Sequence, residues 1–163
     1  MKTVLFFRHG KSDWDADFDH DHERPINERG RQAARTMGQM LADLGQVPHH
    51  IVCSTAVRAR QTLELAQEAG DWTAPVTFEE RLYHGGPDDL LAVIQAADDD
   101  VRRVMLVGHE PGWSETISAC IGGGAVRFPT AAMARVDLDV DRWDAAQFGP
   151  ARLIWLMPPK LFA

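Results

Sequence analysis

The stretch LFFRHGKSDW, residues 5–14, is an apolar run that halts at a cation, an imidazole and a glycine. Thr3 to Phe7 has the β-branched and aromatic content of a buried strand, so Arg8-His9-Gly10 falls just past its carboxyl end. In open α/β sheets that end forms the crevice in which ligands bind. Two other strand candidates finish in a related way. Val104 to Val107 runs into Gly108-His109-Glu110-Pro111-Gly112, and His50 to Ser54 runs into Ser54-Thr55-Ala56-Val57-Arg58-Ala59-Arg60-Gln61-Thr62. There Ser54 or Thr55 can cap a helix that carries Arg58 in its first turn, beside unpaired amides and the positive end of the helix dipole. Singly, each feature has an ordinary explanation: a satisfied structural histidine, a solvated arginine, a turn glycine. Their recurrence at three strand ends expected to share one edge points to a convergent anion site.

Working outward, short apolar runs alternate with helical patterns, which predicts an α/β layer fold. The strand candidates are Thr3–Phe7, His50–Ser54, Val76–Phe78, Val104–Val107, Ala134–Leu138 and Leu153–Met157. Between them, Glu28 to Leu44 places Ala33, Met37, Met40, Leu41 and Leu44 on one helical face, with Gly45 where a C-terminal glycine belongs. Ala56–Ala69, Pro87–Ala97 and Pro111–Ile121 read as further helices. The last two strands follow each other without a clear helix, which predicts a mostly parallel sheet with an antiparallel edge.

The chain has 163 residues, 45% of them hydrophobic, enough for one sizeable core and a single domain spanning 1–163. A formal charge of −7 argues against a general nucleic-acid surface. No run approaches the roughly 18 to 20 apolar residues of a membrane span, and Val4 to Phe7 is too short for a signal-peptide core, so a cytoplasmic, non-membrane protein is expected. Cys53 and Cys120 are too few for a disulfide framework and read as buried reduced thiols.

Taken together, these segments resemble the histidine phosphatase superfamily, also called phosphoglycerate-mutase-like, and within it the short SixA-like phosphohistidine phosphatases. Arg8-His9-Gly10 followed by Lys11-Ser12-Asp13-Trp14 is similar to the opening signature, and Arg24-Pro25-Ile26-Asn27-Glu28-Arg29-Gly30 to the segment leading into the first helix. Ser54 to Thr62 resembles the second signature, with Thr55 where proline is common. Val107-Gly108-His109-Glu110-Pro111 resembles the third, and Phe128-Pro129-Thr130 a later loop of the short members.

This resemblance implies a three-layer α/β/α fold and a cofactor-free, metal-independent phosphatase. His9 is then the nucleophile that becomes a transient phosphohistidine, with Arg8 and Arg58 as planar clamps on phosphoryl oxygens. His109, if protonated when the dianion is bound, supplies a further donor, and Ser12 is a phosphate-binding candidate. Glu80, with Glu79 beside it, is the nearest match for the acid that ester-cleaving relatives use; an exposed acidic pair is the alternative. The expected substrate is phosphohistidine on a partner protein. A small phosphate ester is the second reading, and a phospho-ligand binding module with a degenerate site the third.

Two motifs point elsewhere and are set aside. Asp17-Phe18-Asp19-His20-Asp21-His22 with Glu28 copies EF-hand spacing, but His22 replaces the turn glycine and Pro25 intrudes, so a solvated loop near the site mouth is expected. Gly122 to Gly124 lacks the Lys-Ser or Lys-Thr of a P-loop and follows a helix instead of preceding one.

Overall fold

Alternation along the first strand sets the layers. The computed structural model describes residues 1–163, and in β1 (Lys2–Arg8) Val4 and Phe6 enter one core while Leu5 and Phe7 enter another. That is the period-2 outcome for a strand buried on both faces. Its partners are β2 (His50–Cys53), β3 (Val76–Phe78), β4 (Arg103–Gly108), β5 (Met133–Leu138) and β6 (Arg152–Met157), in the order β3-β2-β4-β1-β5-β6. The strands β3, β2, β4 and β1 are mutually parallel. β5 runs antiparallel to both β1 and β6, so the antiparallel pairing lies at the β6 end, as the missing helix between the last two strands requires.

The helices divide between the two faces. α1 (Glu28–Asp43) and α2 (Val57–Gly70) place Met37, Leu41, Leu63 and Ala66 over Leu5 and Phe7. Beyond the one-turn α3 (Arg81–His84), α4 (Pro87–Gln95) and α5 (Gly112–Cys120) place Leu90, Ile94, Trp113 and Ile117 over Val4 and Phe6. The three-layer arrangement that the family resemblance implies is thus present. Asn27 starts α1 by accepting the Gly30 N–H, and Gly45 ends it at φ +67. The buried stripe of α1 runs through Ala34, Met37, Gly38 and Leu41, while Leu44 is exposed. A Cβ at Gly38 would stand 2.2 Å from the Ala66 carbonyl, so only glycine lets α1 and α2 approach this closely.

Cys53 and Cys120 are free and buried, and burial pushes their thiols up to about 12 and about 11. No helix is long and apolar enough to cross a membrane. Because β1, β4 and β2 are adjacent and parallel, the segments that follow them emerge at one sheet edge.

Candidate active site

His9 continues β1 by one hydrogen-bonded residue: its N–H donates to Gly108 O at 2.9 Å and its carbonyl accepts the Ala131 N–H at 2.9 Å. Its ring Nδ1 lies 2.6 Å from Gly10 O. A carbonyl only accepts, so Nδ1 carries the proton and Nε2 keeps its lone pair. Burial pushes the ring down to about 3; the Gly10 bond pulls the other way, and the charges of Arg58, Arg8 and Arg24 reinforce the drop. The side chain is therefore a neutral imidazole near pH 7, with an unprotonated Nε2.

Gly10 ties this segment to two helices. Its N–H donates to Thr62 Oγ1 at 2.9 Å, and that hydroxyl donates to Arg58 O at 2.7 Å within α2. A Cβ on Gly10 would lie 2.7 Å from Gly30 O, so the close approach to the start of α1 requires glycine.

Three arginines stand around the ring. Arg8 Nη1 donates to Phe128 O at 2.9 Å, which gives the Phe128-Pro129-Thr130 loop a role in holding that guanidinium. Arg58 donates through Nη1 to Asp21 O at 2.9 Å and through Nη2 to Asp21 Oδ2 at 3.1 Å. Arg24 donates to Asp21 Oδ1 and stacks on Trp14, its guanidinium carbon 3.7 Å from the ring centroid. The Nε–H groups of all three are buried without a partner in the protein. Unspent buried donors on charged side chains mark a site with hydrogen-bonding capacity left for an anion.

His109 approaches from β4, its ring centroid 5.2 Å from that of His9. Nε2 lies 2.7 Å from Ser54 Oγ, and Nδ1 is buried and unpartnered. Burial, then His9 and Arg58, push this ring down to about 2, so it is neutral in the ligand-free protein. When Ser54 donates its hydroxyl to Nε2, Nδ1 carries the ring proton and is an unused donor. The expected capping by Ser54 or Thr55 is not realised: Ala56 is the N-cap and no side chain caps the helix. α2 begins after Ala56, which leaves Ser54 to accept the Ala56 N–H at 3.2 Å and to hold His109.

Arg8, His9, Arg58 and His109 are therefore brought together. Ser12 and Glu80 make no side-chain hydrogen bond to any of these four. Ser12 is buried where its backbone bridges Ile26, and its carbonyl accepts from Asn27 Nδ2 at 3.3 Å. Glu80 is exposed at the start of α3 and makes no hydrogen bond or ion pair through its carboxylate; Glu79 pairs with Arg81.

Sequence reading missed Asp21, Arg24 and Tyr83. Arg24 lay inside a quoted segment, but no local pattern separates Asp21 from the other five acids between Asp13 and Glu23. Tyr83 donates its hydroxyl to Asp21 Oδ2 at 2.5 Å, and its ring lies 5.4 Å from His109. Partial burial would raise the Asp21 carboxyl, but the Tyr83 hydroxyl and the charges of Arg58 and Arg24 hold it at about 2. No group of three or more His, Cys, Asp or Glu side chains is placed to hold a metal ion.

Residues 4–84 match the histidine phosphatase superfamily, branch 1. An uncharacterised protein of Mycobacterium leprae, ML1117, is 33% identical over 94% of this chain and 99% of its own length. A crystal structure of a candidate phosphohistidine phosphatase SixA from Agrobacterium tumefaciens is 30% identical, with TM-score 0.80, covering 97% of this chain and 99% of that one. The chain belongs to the histidine phosphatase superfamily. A protein histidine phosphatase SixA complexed with tungstate shares this histidine phosphatase fold at TM-score 0.86, with 24% identity and 99% of both chains covered. The family and these neighbours support a phosphatase.

Proposed function

We propose that the protein is a phosphohistidine phosphatase, a single domain that uses His9 Nε2 to take the phosphoryl group from a phosphorylated histidine on a partner protein. The observation that carries this reading is the Nδ1 to Gly10 O bond, which leaves a neutral, lone-pair-bearing Nε2 beside three guanidiniums. Nε2 attacks phosphorus while the bond from phosphorus to the substrate imidazole breaks, and that leaving nitrogen takes up a proton. Water then attacks the phosphorylated His9, the P–Nε2 bond breaks, and inorganic phosphate leaves. Arg8 and Arg58 neutralise charge spread over the equatorial oxygens, and the Nδ1 of His109 adds a donor. The likeness to SixA structures supports the phosphohistidine substrate class.

The chemistry suits an exposed Glu80. An imidazole nitrogen can be protonated before it leaves, whereas an alkoxide needs a positioned acid. The test is the ratio of kcat/KM for a phosphohistidine-bearing domain and an aryl phosphate ester, with His9→Ala as the blank. A ratio well above one, abolished in that variant, is expected. A ratio below one, with ester turnover reduced about 100-fold in Glu80→Gln, would replace this reading by a small-ester phosphatase.

A further inference from the structure

We propose that Asp21 is a specificity-determining residue, an internal carboxylate seated on the anion clamp that an incoming phosphoryl group must displace or share. This deepens the preceding section and rests on its reading of the arginine cluster as the phosphoryl site. Arg58 Nη2 and the Tyr83 hydroxyl converge on Asp21 Oδ2, Arg24 Nη1 bonds Oδ1, and Arg58 Nη1 bonds the Asp21 carbonyl. A carboxylate offers a guanidinium fork the same pair of acceptor oxygens that a phosphoryl group does. The contact is built by the fold. Residues 13–25 form a loop whose neck is closed by the Asp13 N–H on Pro25 O and the Asn27 N–H on Lys11 O, each at 2.8 Å. Its tip, the turn Asp21–Glu23, is pinned by His22 Nε2 at 2.8 Å from Thr55 Oγ1. Of the six acids in Asp13–Glu23, Asp21 alone bonds an arginine.

The physical consequence is selectivity. A free anion gains the clamp only by competing with a carboxylate that is already in place. A phosphoryl group carried on a larger partner adds contacts outside the clamp that offset this competition. Asp21 therefore weakens free inorganic phosphate, the reaction product, more than it weakens the substrate.

Calorimetric titration of the full-length protein with inorganic phosphate tests this without any turnover. Asp21→Asn keeps the shape and removes the charge, and is expected to bind phosphate about tenfold more tightly than wild type. Tyr83→Phe, which loosens the hold on Asp21, should shift the same way by a smaller factor. Asp19→Asn removes an equal charge from the same loop without touching an arginine, and should stay within about twofold of wild type. Unchanged, weaker or absent phosphate binding in Asp21→Asn overturns the proposal, as does an equal tightening in Asp19→Asn. Should Asp21→Asn fail to fold, Tyr83→Phe decides by the same sign. If no phosphorylated substrate is ever turned over, the proposed function falls while this titration still reads Asp21.

Discussion

The Ser54 hydroxyl lies 2.7 Å from Nε2 of His109 and at the same time accepts the Ala56 N–H at 3.2 Å. A residue that follows β2 thus orients the ring delivered by β4. Ser54→Ala removes that hold and leaves both nitrogens of a buried imidazole unpartnered. We expect kcat to fall about 10- to 100-fold with thermal stability nearly kept, read by steady-state kinetics beside a melting curve.

Arg58 is anchored by two separate donors to Asp21 and carries a third, Nε–H, with no protein partner. A lysine restores one point charge and no planar fork. Arg58→Lys and Arg58→Ala should therefore both lose about 100-fold or more in kcat/KM, with lysine recovering little. Near-complete rescue by lysine in the same assay would show that charge alone suffices there.

Stability and activity should respond differently to acid. In the unfolded chain His9 and His109 take up protons near 6.5. In the fold, burial holds them to about 3 and about 2. The unfolded state therefore binds more protons throughout that window, so this contribution is complete above about pH 6.5 and is lost as pH falls. Urea unfolding at pH 7 and pH 5 should show His109→Gln losing less stability than wild type, by an amount on the order of 2 kcal/mol. Activity, by contrast, should show no inflexion from His9 near 6.5, because Nε2 stays unprotonated across pH 5–8.

Gly38 offers a test of packing away from the chemistry. The 2.2 Å approach of a Cβ to the Ala66 carbonyl involves backbone on both sides, which cannot swing away as a side chain would. Gly38→Ala should cost about 1–3 kcal/mol in denaturant unfolding, despite the higher helix propensity of alanine.

Much of this was readable in the chain itself. The strand alternation in Val4 to Phe7, the Glu28 start and Gly45 end of α1, and the placement of Arg8, His9, Arg58 and His109 after strands or in a first helical turn are all local or periodic. Local backbone preference and the two-faced burial of a strand are written residue by residue, so sequence alone determined the layers and the edge at which the site lies. Only the tertiary structure decided which acid meets the arginines and which partner each ring nitrogen has. Asp21 is one of six acids in its segment, and its selection depends on Arg58, Arg24 and Tyr83, two of them 37 and 62 residues away in the chain. Likewise, Ser54 became the partner of His109 in place of a helix cap because β2 and β4 lie side by side. Such pairings arise from contacts between distant segments, and no short window of sequence holds both partners.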